Sequence, residues 1–178
     1  MSVDKSRNFE LEIDENLKLR QLIPDEANLI FSIVDSEREY LGKWLPWVKT
    51  TQTPEDSKDF IESIIEKRQE GSEFGFGIIV NDQPKGHISL MHVSDGKGPE
   101  IGYWISSQES GKGITSKAAK TVTEFGFKTL GLDKITIRAD HRNIASNKVA
   151  EKLGYILTGQ EYAGTETAMN VWEKTKPI

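Results

Sequence analysis

The sequence predicts an α+β fold, a single layered domain spanning 1–178 in which a mixed, mostly antiparallel sheet is flanked by helices. Three observations carry this reading. The chain has 178 residues, enough for one ordinary domain with a real core and cramped for two. Strand-like runs follow closely at Phe74 to Val80, Lys85 to Val93 and Glu100 to Ile105, the spacing of an antiparallel meander. The last of these enters a helix and returns as the strictly alternating run Lys134 to Ala139, as a right-handed parallel crossover does.

The elements follow in order. Leu17 to Leu22 alternates apolar and polar, the mark of a half-buried strand. Pro24-Asp-Glu26 opens a helix whose apolar positions Ala27, Ile30, Phe31 and Val34 recur at helical spacing. Trp44 to Val48 is irregular, aromatic and broken by proline. Thr53 is an N-cap followed by Pro54 at the first helical position; Phe60, Ile61, Ile64 and Ile65 form the expected buried stripe, and Gly71 ends the helix. Asn81-Asp82 and Asp95 to Pro99 supply the turns of the meander. Ala118, Ala119, Val122, Phe125 and Gly126 mark the next helix, with Gly131 as its stop. A helix from Ile144 to Leu153 and strands near Tyr155 to Leu157 and Ala168 to Glu173 complete the chain.

Composition narrows the function classes. Lys and Arg number 23 against 28 Asp and Glu, a net charge of −5, and no basic run interleaved with aromatics suggests a nucleic-acid face. An acidic surface suits a basic substrate, though acidity for solubility alone is the commoner reason. The chain has no Cys, so disulfides, thiol nucleophiles and thiolate metal sites are excluded. His87 and His92 lie an odd number of residues apart on one expected strand and point to opposite faces; with His141 they make no ligand set, and no metal is expected. Met1 to Arg7 lacks the apolar core of a signal peptide and no membrane-length apolar run occurs, so the cytoplasm is the expected location and no membrane partner is expected.

The most informative stretch is the glycine turn Ser110-Gly-Lys-Gly-Ile-Thr115, set between a strand and a long helix. Glycines there leave backbone N–H groups uncovered at a helix N-terminus, an arrangement that binds phosphate. A flexible strand-to-helix connection would use the same residues. A nucleotide P-loop is excluded because Gly113 follows Lys112 and Ser106 stands where the first glycine belongs; a dinucleotide fingerprint fails at Ser116. Lys112, Lys117 and Lys120 add positive charge near that end, as solvated lysines on an exposed face also would.

Four ordered blocks extend the pattern: Glu-Ile-Gly-Tyr-Trp at 100–104, Gly-Lys-Gly-Ile at 111–114, Asn-Ile-Ala-Ser at 143–146 and Glu-Lys-Leu-Gly-Tyr at 151–155. Together they resemble the GNAT superfamily of N-acetyltransferases, and within it the Rim-type branch that acetylates N-termini of ribosomal proteins. The likeness covers nearly the whole chain. The family motif Q/R-x-x-G-x-G/A falls on Ser110 to Thr115, departing at its first position, Ser110, and its last, Thr115. The resemblance implies a sheet splayed between the fourth and fifth strands of this count, Glu100 to Ile105 and Lys134 to Ala139, with acetyl-CoA in the opening.

By the same resemblance the backbone of Trp104, Ile105 and Ser106 would bond the pantetheine arm. Ser110, Gly111, Lys112, Gly113, Ile114 and Thr115 would hold the pyrophosphate, and Asn143 would contact the arm or cap its helix, or both. Many relatives carry a tyrosine acid where this chain has Ala150. Ser146 is the matched hydroxyl of the Rim-type branch and the candidate for the departing thiolate, or else a helix-capping serine. Glu100 is the candidate base and an ordinary surface carboxylate the alternative; Glu161 is a second acidic candidate, on a segment that looks shorter than in the ribosomal enzymes. Trp44 and Trp47 could line the acceptor entrance, or pack in a core or a homodimer.

The function this implies is transfer of an acetyl group from acetyl-CoA to a primary amine, a protein N-terminus or a small amine, by direct attack. A non-catalytic CoA-binding sensor or structural module of the same fold is the alternative, and transfer of a longer acyl chain a third reading.

Overall fold

The computed structural model describes residues 9–178; the Met1 to Arg7 segment read above for a targeting signal lies outside them. An eight-stranded sheet runs in the order β1-β2-β3-β4-β5-β6-β8-β7. Its strands are β1 (Glu10–Asp14), β2 (Leu17–Arg20), β3 (Phe74–Val80), β4 (Gln83–Met91), β5 (Glu100–Ile105), β6 (Lys134–Asp140), β7 (Ile156–Glu161) and β8 (Met169–Thr175). Every neighbouring pair is antiparallel except β5 with β6, which the crossover helix α4 (Ile114–Lys128) makes parallel. The expected α+β layered domain is therefore present.

Each face of the sheet buries its own core, as strand alternation requires. On one face Ile101, Ile105, Ile135 and Ile137 pack under α4 and under α5 (Ile144–Lys152), which contributes Ala150. On the other, Ile79 and Trp104 pack under α1 (Ala27–Ser36), α2 (Arg38–Gly42) and α3 (Pro54–Glu70). Helix α4 lies close because Gly126 faces the sheet: a β-carbon there would stand 2.6 Å from Ile135 Cδ1. Helix α3 begins and ends as its sequence predicts, with Thr53 and Asp56 in a reciprocal capping box and Gly71 left-handed at φ 76°.

The structure corrects several sequence readings. Strand β1 has no counterpart among the expected strands, although Glu-Leu-Glu-Ile-Asp alternates charged and apolar side chains as an edge strand does. The strands expected fourth and fifth are consequently β5 and β6. Phe60 is not part of the buried stripe of α3: it is 38% exposed and meets the His87 ring edge-on at 5.0 Å. His92 lies beyond the end of β4 with φ 58°, so the two histidines do not share a strand.

Candidate active site

Strands β5 and β6 share one residue pair, Glu100 with Thr136, where Thr136 N–H donates to Pro99 O at 2.9 Å. Past this point β5 is bonded only to β4, whereas β6 is bonded along its whole length to β8. A slot therefore opens toward the carboxyl ends of the two parallel strands, where ligands of parallel sheets bind. Ser106 N–H donates to Lys85 O at 2.8 Å, so by alternation the main-chain groups of Trp104 are also turned to β4. Those of Tyr103 and Ile105 face the slot. Gly86 permits this approach of β4 to β5: a β-carbon there would lie 2.3 Å from Trp104 O.

At the α4 mouth of the slot a single 3-10 turn, Ser107–Glu109, leads to Ser110 in extended conformation. Gly111 and Gly113 follow, both at φ 76° in the left-handed region, and Gly113 is the N-cap of α4. A β-carbon on either glycine would meet nothing within 4 Å. Among the described residues the N–H groups of Gly111 to Ser116 donate to no backbone acceptor. Ile114 is buried and anchors the turn, while Thr115 is half-buried. Of the nearby lysines, Lys112 is paired with Glu109 at 2.9 Å and Lys117 with Asp14 at 2.7 Å, so attraction for an anion rests on the amides and the helix end. A diphosphate fits this cradle: its donors are free and its surface is open.

Behind the cradle Asn143 caps α5, its Oδ1 accepting from Ser146 N–H at 3.1 Å. The capping alternative for Asn143 thus holds. Ser146 Oγ stands 2.9 Å from Tyr103 OH, which joins α5 to β5 beside the slot. Burial pushes the Tyr103 phenol up to about 12, so it remains a neutral hydroxyl with a proton to donate. Asn147 fixes the same helix to the sheet: its amide donates to Asp140 O and Asn143 O, and its Oδ1 accepts from Asn170 Nδ2 and Trp172 Nε1, both at 2.8 Å.

The opposite mouth carries different chemistry. Alternation puts Glu100 and Trp104 on the face away from Tyr103, and Arg138 on the same face as Glu100. Arg138 Nη1 donates to Glu100 Oε2 at 2.5 Å and its Nε to Glu161 Oε1 at 3.0 Å. One guanidinium thus joins both acidic candidates, and a second oxygen of each has no partner among the described residues. Trp47 packs 6.0 Å from Trp104 and is 38% exposed, held there by Arg38, which donates to Val48 O and Thr51 O. Trp44 instead lies under Lys43, 4.8 Å from its ring. Glu37, at the end of α1, accepts from Ser106 Oγ at 2.7 Å and Ser107 N–H at 2.8 Å, so the Ser106 hydroxyl is already engaged.

Sequence reasoning therefore placed residues on both mouths of one slot, but missed Tyr103, Arg138, Glu37 and Asn147. Tyr103 stood inside a quoted block and Arg138 was a polar member of an alternating strand; either was visible as a residue but not as a partner. Glu37 left no signal, because its contact with Ser106 joins distant parts of the chain. Among the described residues no helix is long and apolar enough to cross a membrane, and no group of three or more His, Asp or Glu is placed to hold a metal ion.

The acetyltransferase (GNAT) domain family matches residues 16–156. YdaF of Bacillus subtilis (strain 168), provisionally named a ribosomal N-acetyltransferase, is 29% identical over 161 residues, which cover 88% of this chain and 86% of YdaF. The ribosomal-protein-serine acetyltransferase of Escherichia coli (strain K12) is 26% identical, with 84% of each chain covered. Among solved structures RimL, a ribosomal L7/L12 alpha-N-protein acetyltransferase in complex with coenzyme A, superposes with a TM-score of 0.86 at 21% identity, covering 94% of this chain and 98% of RimL. At that identity RimL attests the fold, and the family match attests the chemistry. The protein belongs to the GNAT family and is an acetyltransferase that uses acetyl-CoA.

Proposed function

We propose that the protein acetylates a primary amine, a protein N-terminus or a small amine, by direct attack of the amine on the thioester, and that it works in the cytoplasm. The observation that carries this reading is the slot between β5 and β6, open on one face to the amide cradle and the Tyr103–Ser146 hydroxyl pair and on the other to the Glu100–Arg138–Glu161 cluster. Acetyl-CoA supplies an acyl carbon already activated as a thioester. The amides of Ser110 to Thr115 bind the diphosphate, and the slot-facing main chain of Tyr103 and Ile105 extends β5 by one strand against the pantetheine arm. Ser146 donates its hydroxyl hydrogen to the departing sulfur and takes in exchange the second proton that the attacking nitrogen sheds, while Tyr103 stays neutral and holds Ser146 Oγ by donating a hydrogen bond to it.

On the acceptor side Glu100 takes a proton from the incoming ammonium through one water, using the oxygen that Arg138 leaves free. Trp47 and Trp104 wall the entrance and Glu161 draws the cation in. Acceptors worth testing first are those named for similar proteins: an N-terminal serine peptide, as for a structural neighbour from Salmonella typhimurium, and spermidine, the substrate named for an Escherichia coli relative 22% identical over 147 residues.

The test is release of free CoA, followed with a thiol reagent; the protein has no Cys to give a background. With acetyl-CoA and a panel of peptide N-termini, polyamines and amino acids, CoA is released only when an accepted amine is present, and Ser146→Ala slows its release. Binding of acetyl-CoA with no release for any amine would replace this reading with the non-catalytic sensor.

A further inference from the structure

The acceptor-side cluster is built by two departures from regular strand geometry. Arg138 on β6 stands opposite Val171 on β8, which stands opposite Gly159 on β7. The β7 register shifts between Leu157 and Gly159, an extra residue that turns Gly159 and Glu161 onto the face of Arg138. In an unbulged β7 every side chain past Leu157 would reverse and Glu161 would point toward α5. Gly159 itself carries no side chain, and nothing lies within 4 Å of where its β-carbon would be, so the lane between Arg138 and Glu161 is clear. On the other side Arg138 reaches Glu100 at the one residue pair where β5 and β6 still touch. The guanidinium thus joins residues of β5, β6 and, across β8, β7 at the point of divergence, with the Glu100 side chain 18% and the Glu161 side chain 43% exposed.

We infer that Arg138 is a positioning residue for the acetyl transfer. It divides its guanidinium between Glu100 and Glu161, and so sets both where Glu100 sits at the acceptor mouth and how readily that carboxylate takes the acceptor's proton. This rests on the proposal that Glu100 is the base. The proton leaves the ammonium nitrogen, passes through one water and arrives on the carboxylate oxygen, giving a neutral amine and a neutral carboxyl group. Arg138 acts through Glu100 and touches no reacting atom.

A shared guanidinium makes a prediction with two opposite signs. Removing the cation in Arg138→Met leaves two carboxylates facing one another, whereas removing the competitor in Glu161→Gln gives Glu100 the whole cation, so the two variants change the charge around Glu100 in opposite directions. Three other carboxylates on this side already have partners, whereas the buried Arg68 beside His87 has no carboxylate partner among the described residues. Glu173 on β8 is bound by Lys134, Asp140 on β6 by Arg142 with His141 beside it, and Glu37 accepts from Ser106 and Ser107.

The experiment is the pH dependence of kcat for the wild type and both variants with one accepted amine, each protein first shown to melt cooperatively. The acid limb moves up by about one pH unit in Arg138→Met and down by about half a unit in Glu161→Gln, and Arg138→Lys lies between Arg138→Met and wild type. Limbs that stay in place, or move the same way in both variants, overturn the inference. If Arg138→Met does not fold, the downward movement in Glu161→Gln decides alone. A wild type that releases no CoA with any amine sinks the transferase reading as well, whereas a wild type that turns over with a pH-independent kcat sinks only the assignment of Glu100 and its partner.

Discussion

Gly86→Ala tests whether the slot is as narrowly built as its geometry implies. The new β-carbon would stand 2.3 Å from Trp104 O and 2.8 Å from Ile105 Cα, both main-chain atoms of β5. Carbon and oxygen rest at about 3.3 Å or more, so β5 must retreat by about 1 Å or β4 must buckle. Neither is easy, because β4 is paired on both edges and β5 is pressed between two cores. Overpacking of this kind costs about 3 kcal/mol, and the lower entropy of the unfolded alanine chain offsets at most about 1 kcal/mol of it. The net loss is about 2 kcal/mol, and with a urea slope of about 2 kcal/mol/M the unfolding midpoint falls by about 1 M. Because β5 lies between β4 and β6, the retreat also pushes the slot-facing main chain of Ile105 toward β6 and narrows the slot, and a 1 Å misplacement lowers turnover by about 100-fold. Urea unfolding and CoA release on the same preparation measure both. Gly42→Ala is the control, since its backbone is not left-handed and a β-carbon there meets only Val48 side-chain atoms, at 3.7 Å or more. An unchanged midpoint and turnover in Gly86→Ala would show that the β4–β5 approach does not set the slot.

Other predictions concern single groups. Tyr103→Phe removes the partner of Ser146 Oγ and lowers kcat by about tenfold or more while leaving acetyl-CoA binding by calorimetry unchanged; a wild-type kcat would show that Ser146 Oγ acts without Tyr103. Asn143→Ala unties the cap of α5 and costs about 1 kcal/mol in denaturant unfolding. His87 is held neutral by burial, with Arg68 nearby, at a value lowered to about 3. The unfolded chain takes up its proton near 6.5 and the folded one does not, so the stability from this group is complete above 6.5 and declines toward pH 3. The slope is about 1.4 kcal/mol per pH unit at most, before the salt-bridged aspartates titrate. Between pH 7 and pH 5 the unfolding free energy of the wild type should fall by about 2 kcal/mol relative to that of His87→Leu; parallel lines would show that His87 binds its proton equally in the folded and unfolded chains.

Features carried by consecutive residues were legible in the sequence. The left-handed glycines at 111 and 113, the caps at Thr53 and Asn143 and the apolar stripe of α4 each answer to local backbone geometry or helical period, and a linear reading sees both. Resemblance then joined the four blocks into one expected site. Phe60 misled because periodicity assigns it a face of α3 but does not say how far the neighbouring layer extends.

What tertiary structure alone decided is who meets whom. The Tyr103–Ser146 pair, the Glu37 hold on Ser106 and the sharing of Arg138 by Glu100 and Glu161 join residues that the chain separates widely. Each depends on strand register, and in β7 on one extra residue that reverses the faces of every side chain after it. The sequence by itself determined that a glycine turn follows β5 and that a capped helix with a serine in its first turn follows β6, because turns and caps are settled within a few residues. Which charges confront one another across the slot is settled by pairing between strands, a long-range property with no period to read.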